Sequence, residues 1–239
     1  MLNSEKKSQE KGFLILFFII GLFEVVAEYF NEILMMYILK PLLMPIMMLM
    51  YWKVSSKRNI YFLLALFFVL IANILFVSKN FNSAIIASIF FFIYRGIVIY
   101  LVIQDEPIQK KLPVVVGTLP FFTAFAYLTF LTKNELGKGI YIYLIQVLFL
   151  SFLGGLALSN YMIKGCKKNF WLLINAVFFA IIQFVLVLKL FYVSIAIFSS
   201  ISMFLYLFAQ FALYRYMLER EKEISNFEDC DSFLIEDIE

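Results

Sequence analysis

Apolar runs of about twenty residues recur eight times along this chain, separated by short polar segments. Their approximate bounds are 13–31, 33–52, 60–77, 83–103, 112–132, 139–161, 169–188 and 193–214. Each is close to the roughly 20 residues that carry a helix across the hydrocarbon layer of a bilayer. The runs lack the apolar/polar alternation of a lipid-facing barrel strand. Lipid offers backbone groups no hydrogen bonds, so helices are the expected element. The pattern predicts an all-α membrane protein, an eight-transmembrane-helix bundle. It divides the chain into a polar N-terminal tail over 1–12, a membrane domain over 13–217 and an acidic C-terminal tail over 218–239.

The polar segments then orient the bundle. Of the 20 Lys and Arg residues, Lys40 and Arg95 fall inside spans. Most of the others sit on alternate segments, with Lys53, Lys57 and Arg58 after the second span and Lys164, Lys167 and Lys168 after the sixth. The opposite segments hold only Lys79, Lys133, Lys138 and Lys189. Such a bias predicts both termini on the cytoplasmic side. The expected location is an integral one, in a bacterial inner membrane. The first run is too long for a cleaved signal peptide, and it carries Glu24 and Glu28.

Composition narrows the chemistry. Hydrophobic residues make up 64% and charged residues 15%, with a mean hydropathy of +0.92. Soluble domains lie nearer half and a quarter. The net charge of +3 follows from the basic loops and calls for no nucleic-acid partner. There is no histidine, which excludes Ser-His and Cys-His nucleophile pairs and His-rich zinc sites. Cys166 and Cys230 both fall on the side expected to be reducing, so no disulfide is expected. No Gly-rich nucleotide-binding loop is present, and no cofactor is implied. Oligomeric state leaves no mark in the sequence.

Any site must therefore be built from polar residues inside the spans. Glu24 and Glu28 are four apart and share a helix face. The first two spans turn near Asn31–Glu32, and reflection about that turn brings Lys40 level with Glu24. An ion pair of Lys40 with Glu24 or Glu28 follows. Three readings of Lys40 stand open: a structural pair, a ligand for phosphate or carboxylate, and a lysine snorkelling to the membrane surface. Pro41 and Pro45 in the same helix free backbone carbonyls. Asn73, Arg95, Gln146, Asn175, Gln183 and Gln210 add polarity in five further spans. Singly, such residues hold helices together; collectively they predict a central polar cavity in which Asn73, Arg95, Gln183 and Gln210 join Lys40. Gly154 and Gly155 predict a close helix contact.

Two short motifs carry a resemblance. Lys40-Pro41 opens the second span within YILKPLLMPIMML, and YLFAQF, from Tyr206 to Phe211, lies in the last span. These, with the span count, resemble the YhhN-like lysoplasmalogenase family, whose Tyr-x-x-Ala-Gln pattern matches Tyr206 to Gln210. The resemblance implies an eight-span hydrolase of lipid metabolism. Its substrate would be a lysophospholipid-like membrane lipid, whose vinyl ether is cleaved to a fatty aldehyde. It also implies two intramembrane aspartates, in a Gly-Asp pair of the third span and a Ser-Asp pair of the seventh. Here Ala72-Asn73 and Ile182-Gln183 stand at those places, and Arg95 stands where a histidine is common. Asn73 and Gln183 thus mark the catalytic positions without titrating, which leaves Glu24 and Glu28 as candidate acids. Lys40, Arg95, Tyr206 and Gln210 are the candidate substrate-binding residues. The alternatives are a non-catalytic protein that binds or moves a single-chain lipid, and a small-solute transporter, for which no inverted repeat is visible.

Overall fold

The computed structural model describes residues 2–78, 80–108, 111–136, 139–191 and 195–236, without the side chains of 2–8, 81, 133–136, 190–191 and 224–236. Among these residues there are eight long helices and no strand: α1 (Leu2–Phe30), α2 (Ile33–Val54), α3 (Ile60–Val77), α4 (Phe81–Asp105), α5 (Lys111–Leu136), α6 (Ile140–Ile163), α7 (Lys167–Phe191) and α8 (Ala196–Glu236). All eight are long and apolar enough to cross a membrane. Helix α1 continues back through the segment read as a polar tail, and the expected boundary at 217 falls inside α8. Lys79, Lys110 and Lys138 lie outside the described residues, as do the side chains of Lys133 and Cys230. Cys166 is free.

The turns have local causes. Asn31 adopts φ 57°, a left-handed conformation that asparagine tolerates well. The Glu32 N–H then donates to Ala27 O at 2.9 Å, closing α1 with the six-to-one bond of a Schellman turn. Helix α2 can therefore start at Ile33 and run straight back along α1. At the other end of α2, Asn59 caps α3: its Oδ1 accepts from the N–H groups of Tyr61 and Phe62 at 3.0 and 3.2 Å.

Sequence neighbours pack as antiparallel pairs, α1 with α2, α3 with α4, α5 with α6 and α7 with α8. Helix α1 also meets α8, α2 meets α3, α4 meets α6 and α6 meets α7, which closes a ring. Helix α5 lies outside that ring against α6 and α7. The expected close approach of Gly154 and Gly155 is to this outer helix. A Cβ on Gly117 would stand 2.8 Å from Gly155 O, and one on Gly155 would collide with Thr118. The core threads between α2 and its neighbours through Met44, Met47, Met50, Phe62 and Leu66, all inaccessible. Side chains such as Leu34, Leu112 and Met162 are more than 70% exposed. In water such a surface would aggregate; against lipid tails it is the complementary face.

Candidate functional site

A cavity of about 790 Å³ occupies one end of the ring, within the usual range of small-molecule sites. Its rim lies at the end of the bundle where α3 turns into α4 and α7 into α8, and is marked by Asn80, Lys189 and Ser199. Deeper walls come from Lys40 on α2, Asn73 on α3, Gln146 on α6 and Gln183 on α7. Arg95 and Phe91 on α4, Phe179 on α7 and Tyr206 on α8 complete it. Arg95 lies about 20 Å along α4 from the rim end, close to the middle of the span.

The short α1–α2 hairpin forms the expected ion pair. Lys40 Nζ donates to Glu28 Oε1 at 2.6 Å and stands 3.5 Å from Glu24 Oε1. Glu24 is completely buried behind this pair and Glu28 lines the cavity. The lysine thus faces the interior and does not snorkel.

The two amides are held in defined orientations. Asn73 Nδ2 donates to Tyr206 Oη at 2.9 Å, which leaves its carbonyl oxygen as the freer group. Gln146 Nε2 donates to Gln183 Oε1 at 2.9 Å, which turns the Gln183 NH₂, a donor, towards the Tyr143 hydroxyl. Acceptor and donor stand on the walls of the same cavity. Neither amide can supply a proton to carbon.

Arg95 is the outlier. It is 3% exposed, yet its Nε and Nη1 meet no hydrogen-bond acceptor among the described residues. Its guanidinium carbon lies 5.4 Å from the ring centre of Phe179 and 5.9 Å from that of Phe91. Cation–π contacts of this kind contribute up to about 2 kcal/mol when desolvated. An arginine at mid-helix costs about 2.5–3.5 kcal/mol to insert. The rings offset part of that cost and satisfy none of the N–H groups.

Of the residues expected to share one cavity, Lys40, Asn73, Arg95 and Gln183 do so, and Tyr206, a candidate from the family resemblance, joins them. Gln210 does not line it. It is fully buried one turn along α8 from Tyr206, beside Tyr94 and Tyr206. A polar residue on an internal helix has several inward directions, and only one of them meets the void. Asn175 is likewise away from the cavity, its Nδ2 donating to Ala209 O at 2.7 Å and tying α7 to α8. Lys189, Ser199 and Ser202 border the cavity although the sequence did not single them out. They sit near helix ends, where polar residues are common and carry no special signal.

A second polar region lies at the opposite end of the bundle. Lys168 Nζ approaches Glu223 at 2.7 Å, Asp105 at 2.8 Å and Glu106 at 3.1 Å. Arg220 Nε donates to Asp105 Oδ1 at 3.1 Å. Glu221 accepts from the Tyr51 hydroxyl, from Ser55 Oγ at 2.7 Å and from Ser56 N–H at 3.2 Å. Here each charge has a partner, and the groups bind α8 to α2, α4 and α7.

No curated protein and no solved structure matches the chain. A family model does, over residues 35–217, a stretch that contains every cavity-lining helix except α1. It holds Lys40, Asn73, Arg95, Gln183 and Tyr206, and this eight-helix membrane protein belongs to the YhhN family.

Proposed function

We propose that this YhhN protein is a lysoplasmalogenase relative that holds a single-chain ether lipid in its cavity and hydrolyses the vinyl ether weakly or not at all. The observation that carries the reading is the chemistry of the cavity walls. Asn73 and Gln183, where the family resemblance calls for acids, are amides that cannot titrate, and each is already hydrogen-bonded to a neighbour. Vinyl ether cleavage needs a proton on carbon and then water at an oxocarbenium-like centre. A positioned acid contributes roughly 100- to 10,000-fold to such a step. Glu28, which lines the cavity, is engaged with Lys40. Arg95 cannot substitute, because a guanidinium keeps its proton near neutral pH. The cavity retains what binding requires: one void, polar walls and apolar Phe91 and Phe179. The basic segments belong to the end opposite the cavity, so the proposed orientation has the cavity opening away from the cytoplasm.

The test is aldehyde release from lysoplasmalogen by the purified protein, beside an ordinary acyl lysophospholipid. The natural protein should release little aldehyde, and the double change Asn73→Asp with Gln183→Asp should raise the rate. Robust turnover by the natural protein, abolished by Glu24→Gln or Glu28→Gln, would move the acid function to α1. Robust turnover insensitive to all four positions would refute the assignment of the walls.

A further inference from the structure

Arg95 is a candidate substrate-binding residue to which the cavity reading above gives no particular group to bind. Neither of the carboxylates nearest the cavity is available to it, because Lys40 engages Glu28 at 2.6 Å and stands 3.5 Å from Glu24. The other arginines in the membrane-spanning helices meet carboxylates: Arg220 pairs with Asp105, and Arg215 lies 3.4 Å from both Glu10 and Glu219. Of these three, Arg95 alone lines the 790 Å³ cavity, whereas Arg215 borders a pocket of about 150 Å³ together with Glu10. A helix could have placed a backbone carbonyl or an acid at this depth. The chain instead offers two aromatic faces, which tolerate a cation and leave its N–H groups available.

The space beside it is polar in a complementary way. Ser202, on the cavity wall and 8% exposed, has a buried Oγ with no hydrogen-bond partner among the described residues. A cation with free donors, and a hydroxyl on the wall of the same void, form in low dielectric a receptor for negative charge.

We propose that Arg95 is an oxyanion receptor and that the occupant of the cavity carries a phosphate which reaches it. The guanidinium fork suits such a group, since it can give two parallel N–H bonds to adjacent oxygens. The phosphate belongs to a single-chain lipid or is free in solution. The lipid source rests on the cavity reading above, and the oxyanion receptor does not. Arg95 is then the residue that separates anionic from neutral occupants of the same shape.

The experiment is thermal unfolding and ligand titration of the full chain in an uncharged maltoside detergent. The probes are oleoyl lysophosphatidate, monooleoylglycerol and inorganic phosphate, each on the natural protein, Arg95→Gln and Arg95→Lys. The natural protein should bind the lysophosphatidate roughly tenfold or more tightly than the neutral lipid. Arg95→Gln should erase that difference while still binding both lipids, and Arg95→Lys should keep part of it. Removing an unpaired buried charge should not lower the melting temperature of the empty protein, so lost selectivity is separable from unfolding. If Arg95→Gln does not fold, the anionic-to-neutral ratio of the natural protein decides alone. A phosphate shift equal to that of the lipid, lost in Arg95→Gln, would support the receptor and overturn its lipid source. Equal binding of both lipids would overturn the receptor and leave the lipid cavity standing. No shift with any probe would overturn both.

Discussion

The two ends of the bundle use the same residue types to opposite effect. At the end built from Asp105, Glu106, Lys168 and α8 beyond Tyr214, cations and carboxylates neutralise one another, and the pocket beside Arg215 and Glu221 holds only about 150 Å³. At the other end a cavity of about 790 Å³ opens among amides and the Lys40–Glu28 pair, and Arg95 faces it with no carboxylate paired to it among the described residues. A buried charge that is paired reports on how helices are fastened. A buried charge left open beside empty volume reports on what the protein receives. Burial alone does not separate the cases, since Lys168 and Arg95 are each only 3% exposed.

Mutations should separate them. Lys168→Met should cost most, about 3–5 kcal/mol in reversible unfolding, because it removes the cation shared by Asp105, Glu106 and Glu223 and leaves only Arg220 against the buried carboxylates. A loss below about 1 kcal/mol would mean that this end is not a fastening. Lys40→Met should follow at about 3 kcal/mol, the lower bound reflecting partial exposure of Lys40 and Glu28, and Glu24→Gln added to it should restore part of the loss. Arg95→Met should have the opposite sign, stabilising the empty protein by about 1 kcal/mol, since a charge without a partner is exchanged for apolar bulk. Clear destabilisation by Arg95→Met would place Arg95 with the fastenings and erase the contrast. Asn175→Leu should give the smallest effect, about 0.6 kcal/mol, the usual worth of a single interhelical hydrogen bond in a membrane.

Much of this architecture can be read from the chain because a membrane simplifies the problem. Hydropathy gives eight helices, since backbone groups in lipid have no other solution. The Lys40–Glu28 pair is legible because a four-residue spacing and a short hairpin are local geometry. Lys40, Asn73, Arg95 and Gln183 could be gathered into one cavity because polar side chains in spans face inward. That rule gives no inward angle, which is why Gln210 was grouped with them and lies elsewhere. The Tyr51–Glu221 contact joins residues 170 apart, and no pattern of period or charge pairs them. For the same reason Arg220 and Glu221 read only as part of the acidic C-terminal tail, whereas both are 6% exposed against other helices. Long-range pairing of charges is a property of the packed bundle, and single-sequence patterns do not carry it.

The contrast between the ends is tested most directly by hydrogen exchange of the purified protein with and without a saturating single-chain ether phospholipid. Ligand should slow exchange at the rim and walls of the cavity, around Asn73 to Ala84 and Lys189 to Tyr206. Exchange around Asp105, Lys164 to Lys168 and Tyr214 to Glu223 should stay unchanged. Protection confined to the charged end, or spread evenly over both, would contradict the assignment of the cavity as the place where this protein receives its ligand.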